Sequence, residues 1–160
     1  MQIKDIRDSD LDTVLSLNEH AVPHVNSIDL AQMQWFAANA HYFRVAWLDD
    51  LLAGFLIGLR PGLDYGSDNY RWFCTNYVDF GYVDRVVVSP DARRRGVGSQ
   101  LYDDYAARLR GFVPFMTCEV NIRPPNESSM RYHELHGFVR IETQETEGGS
   151  KEVALLEKRL

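Results

Sequence analysis

The sequence predicts one mixed α/β domain over residues 1–160, and three observations carry that expectation. An alternating stretch, Tyr42 to Leu48, and its return from Leu51 to Leu59 stand beside a stretch with Val97, Leu101, Tyr105 and Leu109 four apart. Turn residues mark the changes of period, as at Asp49-Asp50, Gly111, Pro124-Pro125 and Gly148-Gly149. A chain of 160 residues, 45% apolar and 25% charged, can bury a single good core.

In chain order, Gln2 to Arg7 alternates and reads as a short strand before Asp8-Ser9-Asp10, a helix cap. The helix from about Asp10 to Glu19 puts Leu11, Val14, Leu15 and Asn18 on one face and ends before Pro23. His20 to Ile28 is a loop, and Asp29 caps a second helix with Leu30, Met33, Ala37 and Ala40 at helical spacing. Tyr42 to Leu59 is a hairpin turned at Asp49-Asp50. Arg60 to Tyr82 reads as a long loop, yet it holds Tyr65, Tyr70, Trp72, Phe73, Tyr77, Phe80 and Tyr82. Such a segment is either a lid packed on the core by its own rings, or a substrate-pocket wall or dimer surface, so a homodimer stays open. Val86 to Val88 is a buried strand, and a helix runs to about Arg110. Val113 to Ile122 is a strand, Asn126 caps a helix to His136, and Phe138 to Glu147 with Lys151 to Lys158 makes a final hairpin.

Composition excludes several classes. No apolar run approaches the ~18 residues that span a bilayer. Lys4, Asp5, Arg7 and Asp8 speak against a secretory leader, so a cytoplasmic protein is expected. Cys74 and Cys118 share no metal-type spacing and read as free thiols. A net charge of −6 argues against nucleic acid as the main partner. In His133-Glu134-Leu135-His136 the second histidine of a zinc helix would have to stand where Gly137 is, so no metal is expected.

The chemistry concentrates between Asp84 and Leu101. There a valine-rich strand meets Ser89-Pro90-Asp91, then Arg93, Arg94 and Arg95, then Gly96 and Gly98 at the start of a helix. Glycine lets a backbone approach a ligand, arginine adds fixed charge, and a helix N-terminus directs its dipole at the same place. That is a phosphate site. It is not a P-loop, which needs Gly-Lys-Ser/Thr, nor a dinucleotide turn, which wants glycine where Leu101 stands.

Arg93-x-x-Gly96-x-Gly98 after Val88-Ser89-Pro90, and Asn126 to Phe138 downstream, resemble the two signatures of the GNAT superfamily of N-acetyltransferases. The resemblance extends over essentially the whole chain in element order, β-α-α-β-β-β-α-β-α-β-β. More locally, AVPHVNSI, NYRWF and CEVNIRPPN are similar to bacterial GNAT proteins, a likeness that brings no substrate with it. It implies a mixed, mostly antiparallel central sheet flanked by helices, and transfer of an acetyl group from acetyl-CoA to a primary amine of a small molecule or peptide. Val86 and Val88 would pair with the pantetheine arm, and Arg93, Arg94, Arg95, Gly96, Val97, Gly98 and Ser99 would cradle the pyrophosphate. Asn126, Ser129 and His133 would complete the cofactor contacts. His133 stands where the family often has a tyrosine acid, with Tyr132 expected to pack inward beside Leu135. Asp84 is the first candidate base and Glu119 its rival; His20, His24 and Asn26 are candidates for the acceptor pocket. A non-catalytic acyl-CoA-binding module on the same fold is the alternative, and an oxidoreductase with a nucleotide cofactor is a more distant one.

Overall fold

The computed structural model describes residues Met1–Leu160. Seven strands form one sheet in the order β1-β2-β3-β4-β5-β7-β6. They are β1 (Gln2–Asp5), β2 (Tyr42–Leu48), β3 (Leu51–Leu59), β4 (Gly81–Val88), β5 (Phe115–Arg123), β6 (Val139–Thr146) and β7 (Lys151–Arg159). The helices are α1 (Leu11–His20), α2 (Leu30–Asn39), α3 (Asp68–Asn76), α4 (Val97–Leu109) and α5 (Glu127–Leu135). β1–β2, β2–β3, β5–β7 and β6–β7 pair antiparallel, and β4–β5 pairs parallel. The expected mixed, mostly antiparallel sheet flanked by helices is what the chain forms.

The chain divides into two compact units, Met1–Leu59 with Asp84–Arg108, and Arg60–Val83 with Leu109–Leu160. In the first, Val97, Leu101 and Tyr105 of the α4 stripe are buried as their spacing predicts. The helix comes close because β3 carries glycine beneath it. A Cβ on Gly58 would lie 2.4 Å from Tyr105 Cζ, and one on Gly54 would lie 3.1 Å from Val97 Cγ1 and 2.6 Å from the Val87 carbonyl oxygen of β4. Two local expectations fail here. Asp10 does not cap α1; its carboxylate accepts from the Arg7 guanidinium at 2.9 and 3.0 Å, and Asp8–Asp10 is a separate 3-10 turn. On α2 the buried pair is Met33 and Phe36 rather than a stripe from Leu30, which is exposed. Asp29 does cap α2, accepting from the Gln32 N–H at 2.8 Å.

The second unit holds the main correction. Arg60 to Tyr82 is not a structureless loop: Asp68–Asn76 is helical, and β4 begins at Gly81. Ser67 caps the helix by accepting from the Tyr70 N–H at 3.2 Å. Tyr70, Phe73, Phe80 and Tyr82 are buried, with ring centroids 5.6 Å apart for Tyr70–Tyr82 and 5.9 Å for Phe73–Phe80. Most of the aromatic content is therefore core. The sequence signal was present, since Ser67 precedes Tyr70, Phe73 and Tyr77 at helical spacing.

Candidate functional site

Candidate residues fall in both units, and each group is built from its own elements. In the first unit the burial of β4 alternates: Arg85 and Val87 are buried, while Asp84, Val86 and Val88 are half-buried and share the opposite face. The expected common face for Asp84, Val86 and Val88 is thus present. Asp84 is not left to itself there. Its Oδ2 pairs with Arg85 Nε at 2.7 Å, the two side chains being 4% and 5% exposed. Arg85 also donates to Asn18 Oδ1 at 2.9 Å and to the Asn26 carbonyl at 3.3 Å, and its guanidinium lies 5.2 Å from the centre of the Phe36 ring. Buried Asn18 answers with its own donation to the Asn26 carbonyl at 3.1 Å. This network ties β4 to α1 and to the loop after it. Sequence spacing could not show it, because its members lie up to 67 residues apart.

The loop leaving β4 is anchored by Ala92, which is buried, and by Val97, the buried first residue of α4. Between them Arg93, Arg94, Arg95 and Gly96 are exposed. Arg94 at φ 60° and Gly96 at φ 77° bend the backbone through the left-handed region, which is costly for arginine and easy for glycine. Gly98 has neither reason to be glycine: its φ is ordinary, and an added Cβ would meet only Val88 Cγ2 at 3.7 Å. Three guanidinium groups, a bent backbone and the positive end of a 13-residue helix face solvent together. That arrangement can hold a polyanion.

His20 and His24 are both exposed on the loop side of α1, and His20 Nδ1 is engaged with the Ser16 carbonyl at 2.7 Å. Asn26 meets the Arg85 network through its backbone carbonyl.

In the second unit, Asn126 caps α5, its side-chain oxygen accepting from the Ser129 N–H at 3.3 Å and the Ser128 hydroxyl at 3.2 Å. His133 is 4% exposed. Its Nδ1–H donates to the Ser129 carbonyl at 2.7 Å, with the Ser129 hydroxyl 3.4 Å away, and its ring meets Phe138 edge-on at 5.0 Å. Burial holds the imidazole below its ordinary pKa, only partly opposed by the bond to Ser129. It is neutral at neutral pH. The expected inward packing of Tyr132 with Leu135 is overturned, since Leu135 is 74% exposed and Tyr132 stacks on His136 with centroids 4.0 Å apart. The buried residue of this helix is His133. The cause is the bend at Gly137, φ 83°, which returns the Phe138 N–H to the His133 carbonyl at 3.0 Å and brings Phe138 against the ring.

Glu119 stands on β5, half-buried, and its Oε2 accepts from the Tyr82 hydroxyl at 2.7 Å. Spacing alone does not reveal that partner. No group of three His, Cys, Asp or Glu side chains could hold a metal ion, and no helix is long and apolar enough to cross a membrane.

Solved structures share this fold. Ard1 from Thermoplasma volcanium superposes with a TM-score of 0.79 at 16% identity, covering 99% of this chain and 97% of that one. Ribosomal-protein-alanine N-acetyltransferase from Brucella melitensis gives 0.74 at 19% identity, covering 100% of both chains. The yncA protein from Salmonella typhimurium, solved with its cofactor acetyl-CoA, gives 0.71 at 19% identity, covering 100% of this chain and 94% of that one. At such identities they speak for the fold alone. No curated protein matches the chain. The family model described as Acetyltransferase (GNAT) family matches residues 7–138, which takes in the arginine-glycine loop, Glu119, Asn126 and His133, and the chain belongs to that family.

Proposed function

We propose that this protein transfers the acetyl group of acetyl-CoA directly to a primary amine of a small molecule or peptide, both substrates being bound together. The observation that carries the reading is the Arg93–Gly98 loop. Its exposed guanidinium groups, two left-handed residues and helix N-terminus suit a pyrophosphate, and Gly98 is small where neither its backbone nor its packing demands it. The acetyl-CoA seen with the Salmonella protein supports the donor, and the Brucella enzyme's name supports an amine on a protein chain as one acceptor.

In this reading the backbone of Val86 and Val88 lines the acyl arm, and the amides and side chains of Arg93 to Ser99 hold the pyrophosphate. Asn126 and Ser129 contribute from the start of α5. Transfer needs an amine stripped of its proton, support for the oxyanion, and a proton for the departing sulfur. Glu119 takes the base's role ahead of Asp84, because Asp84 is already committed to a buried ion pair with Arg85. His133 keeps the family position of the acid, but its burial and neutral form oppose that role. Those same two facts favour the second reading, a module that binds acyl-CoA without turning it over. Cys74 and Cys118, both free, support a reducing compartment such as the cytoplasm.

Both readings expect acetyl-CoA to raise the melting temperature. Only the enzyme releases free thiol when given acetyl-CoA and an amine library, with an acetylated product in the mass spectrum. Thermal stabilisation without thiol release from any amine selects the binding module. A shift with NADPH and none with acetyl-CoA sinks both.

A further inference from the structure

The loop that joins α1 to α2 is fastened end to end. Asn18 and Glu19, in the last turn of α1, supply the fastening. Asn18 Nδ2 donates to the Asn26 carbonyl at 3.1 Å and to Glu19 Oε1 at 3.0 Å. The same Glu19 oxygen accepts from the Ile28 N–H at 3.1 Å, and Oε2 accepts from the Ser27 hydroxyl at 2.6 Å. Asn26, Ser27 and Ile28 at the far end of the loop are thus held by two residues at its start. Glu19 is exposed, yet the Ser27 hydroxyl, the Ile28 N–H and the Asn18 amide hold its carboxyl below the ordinary range. Bonds accepted by an anion are the stronger kind. Within the loop the His24 N–H returns to the Ala21 carbonyl at 2.9 Å, and Val22, Pro23 and His24 stand exposed at the tip.

A second contact fixes the closed loop in place. Arg85 on β4 reaches both sides of the neck, donating to Asn18 Oδ1 at 2.9 Å and to the Asn26 carbonyl at 3.3 Å. Asn18 is 0% exposed and the Arg85 side chain 5%. Moving either away would leave buried polar atoms short of a bond. The next residue along β4 is Val86, on the opposite face of the strand. The loop therefore takes its position from the strand to which the acyl arm is assigned. Lids that close over substrates come from the weakly bonded parts of a fold. This loop is built the other way.

We propose that Asn18 and Glu19 are positioning residues that hold the α1–α2 loop as a pre-formed wall for the acceptor amine, in fixed register with the Val86 strand, so that the acceptor binds without loop closure. This rests on the acetyltransferase reading and on His24 or its loop neighbours meeting the acceptor. A loop ordered during folding charges no ordering entropy to binding. Without the Glu19 bonds that entropy falls on acceptor binding. The loss then shows in KM for the amine, while kcat, set by groups on other elements, is kept.

The test uses the full chain and Glu19→Ala, a change at an exposed position. Exchange of the Ile28 amide, read by NMR, should become about tenfold faster in Glu19→Ala and be partly restored in Glu19→Gln, which keeps one acceptor oxygen. With an amine found by thiol release, KM should rise about tenfold in Glu19→Ala, with kcat within about twofold. Acetyl-CoA affinity, read by calorimetry, should not change. An unchanged KM, or an equal loss of acetyl-CoA affinity, overturns the proposal and leaves the bonds a matter of stability alone. In the wild-type chain, coenzyme A and that amine together should leave Ile28 exchange as it is; marked slowing means a closing lid and overturns the proposal equally. If Glu19→Ala does not fold, Ser27→Ala removes one neck bond from the exposed side and should raise KM about threefold. No thiol release from the wild-type chain with any amine overturns the acetyltransferase reading and the acceptor role with it. Turnover with an unchanged KM in the variants overturns this proposal alone.

Discussion

Asp84 and Glu119 are acidic residues on neighbouring strands, and their partners set them apart. Asp84 faces a guanidinium that is as buried as itself, and that guanidinium also holds Asn18 and the Asn26 carbonyl. Protonating Asp84 would remove the carboxylate charge that Arg85 holds at 2.7 Å in a buried place, which is expensive. Glu119 accepts from a phenol, a neutral donor whose bond is weaker than a buried ion pair. A carboxylate that must gain and lose a proton in every cycle is better placed beside Tyr82 than beside Arg85. Being acidic and on a strand does not make a base; the partner does.

The sharpest way to break this comparison is to neutralise each carboxylate in turn. Glu119→Gln should lower kcat/KM for the amine by ~10²- to 10⁴-fold, measured by thiol release, with little change in melting temperature. A variant with wild-type turnover would return the base's role to Asp84 or to solvent. Asp84→Asn should instead act on the fold. Removing one partner of so buried a pair costs about 3–5 kcal/mol, to be read from urea denaturation, while the molecules that stay folded keep their turnover. A stable Asp84→Asn chain without activity would reverse the assignment. The third substitution separates ligand from fold in the same way at the arginine-glycine loop. Gly98→Ala has room for its methyl group, so stability should hold while acetyl-CoA binds about tenfold more weakly by calorimetry. Equal affinity would take the pyrophosphate away from the first turn of α4.

The smallest effect concerns pH. Burial holds His133 below its ordinary pKa, so the unfolded chain binds this proton more readily than the folded one. The contribution to stability is then fully present above about pH 6.5 and is lost as pH falls through that value toward the folded pKa. Urea midpoints compared at about pH 7.5 and pH 5 should drop further for the wild-type chain than for His133→Phe. Identical drops would mean that His133 is not buried neutral, and would reopen its use as the sulfur's acid.

Legibility followed the range of the interactions. Asp29 and Asn126 read correctly as caps because a cap is made within three residues. Asp8-Ser9-Asp10 misled for the same reason, since Arg7 is an equally local competitor for the Asp10 carboxylate. The α4 stripe read correctly because its period is set by helix geometry. In helix α3 aromatic density and glycine obscure the Ser67 cap and the helical spacing of Tyr70, Phe73 and Tyr77. At position 133 residue type was visible and environment was not. Whether Tyr132 or His133 turns inward depends on where Phe138 returns after Gly137.

By itself the sequence determined the element order without helix α3, as well as the arginine-glycine loop at the head of α4 and the family signatures, all of which are written in short local spacings. Tertiary structure alone decided the partners: Arg85 for Asp84, Tyr82 for Glu119, Phe138 for His133. Some of these meet across 37 residues of chain, and others are neighbours whose rotamers only packing could choose. The physical reason is that backbone hydrogen bonding and apolar period act locally and leave a readable pattern. The proton affinity of a carboxylate or an imidazole answers instead to the few groups within hydrogen-bond reach and to how much water they exclude, and folding brings those groups together.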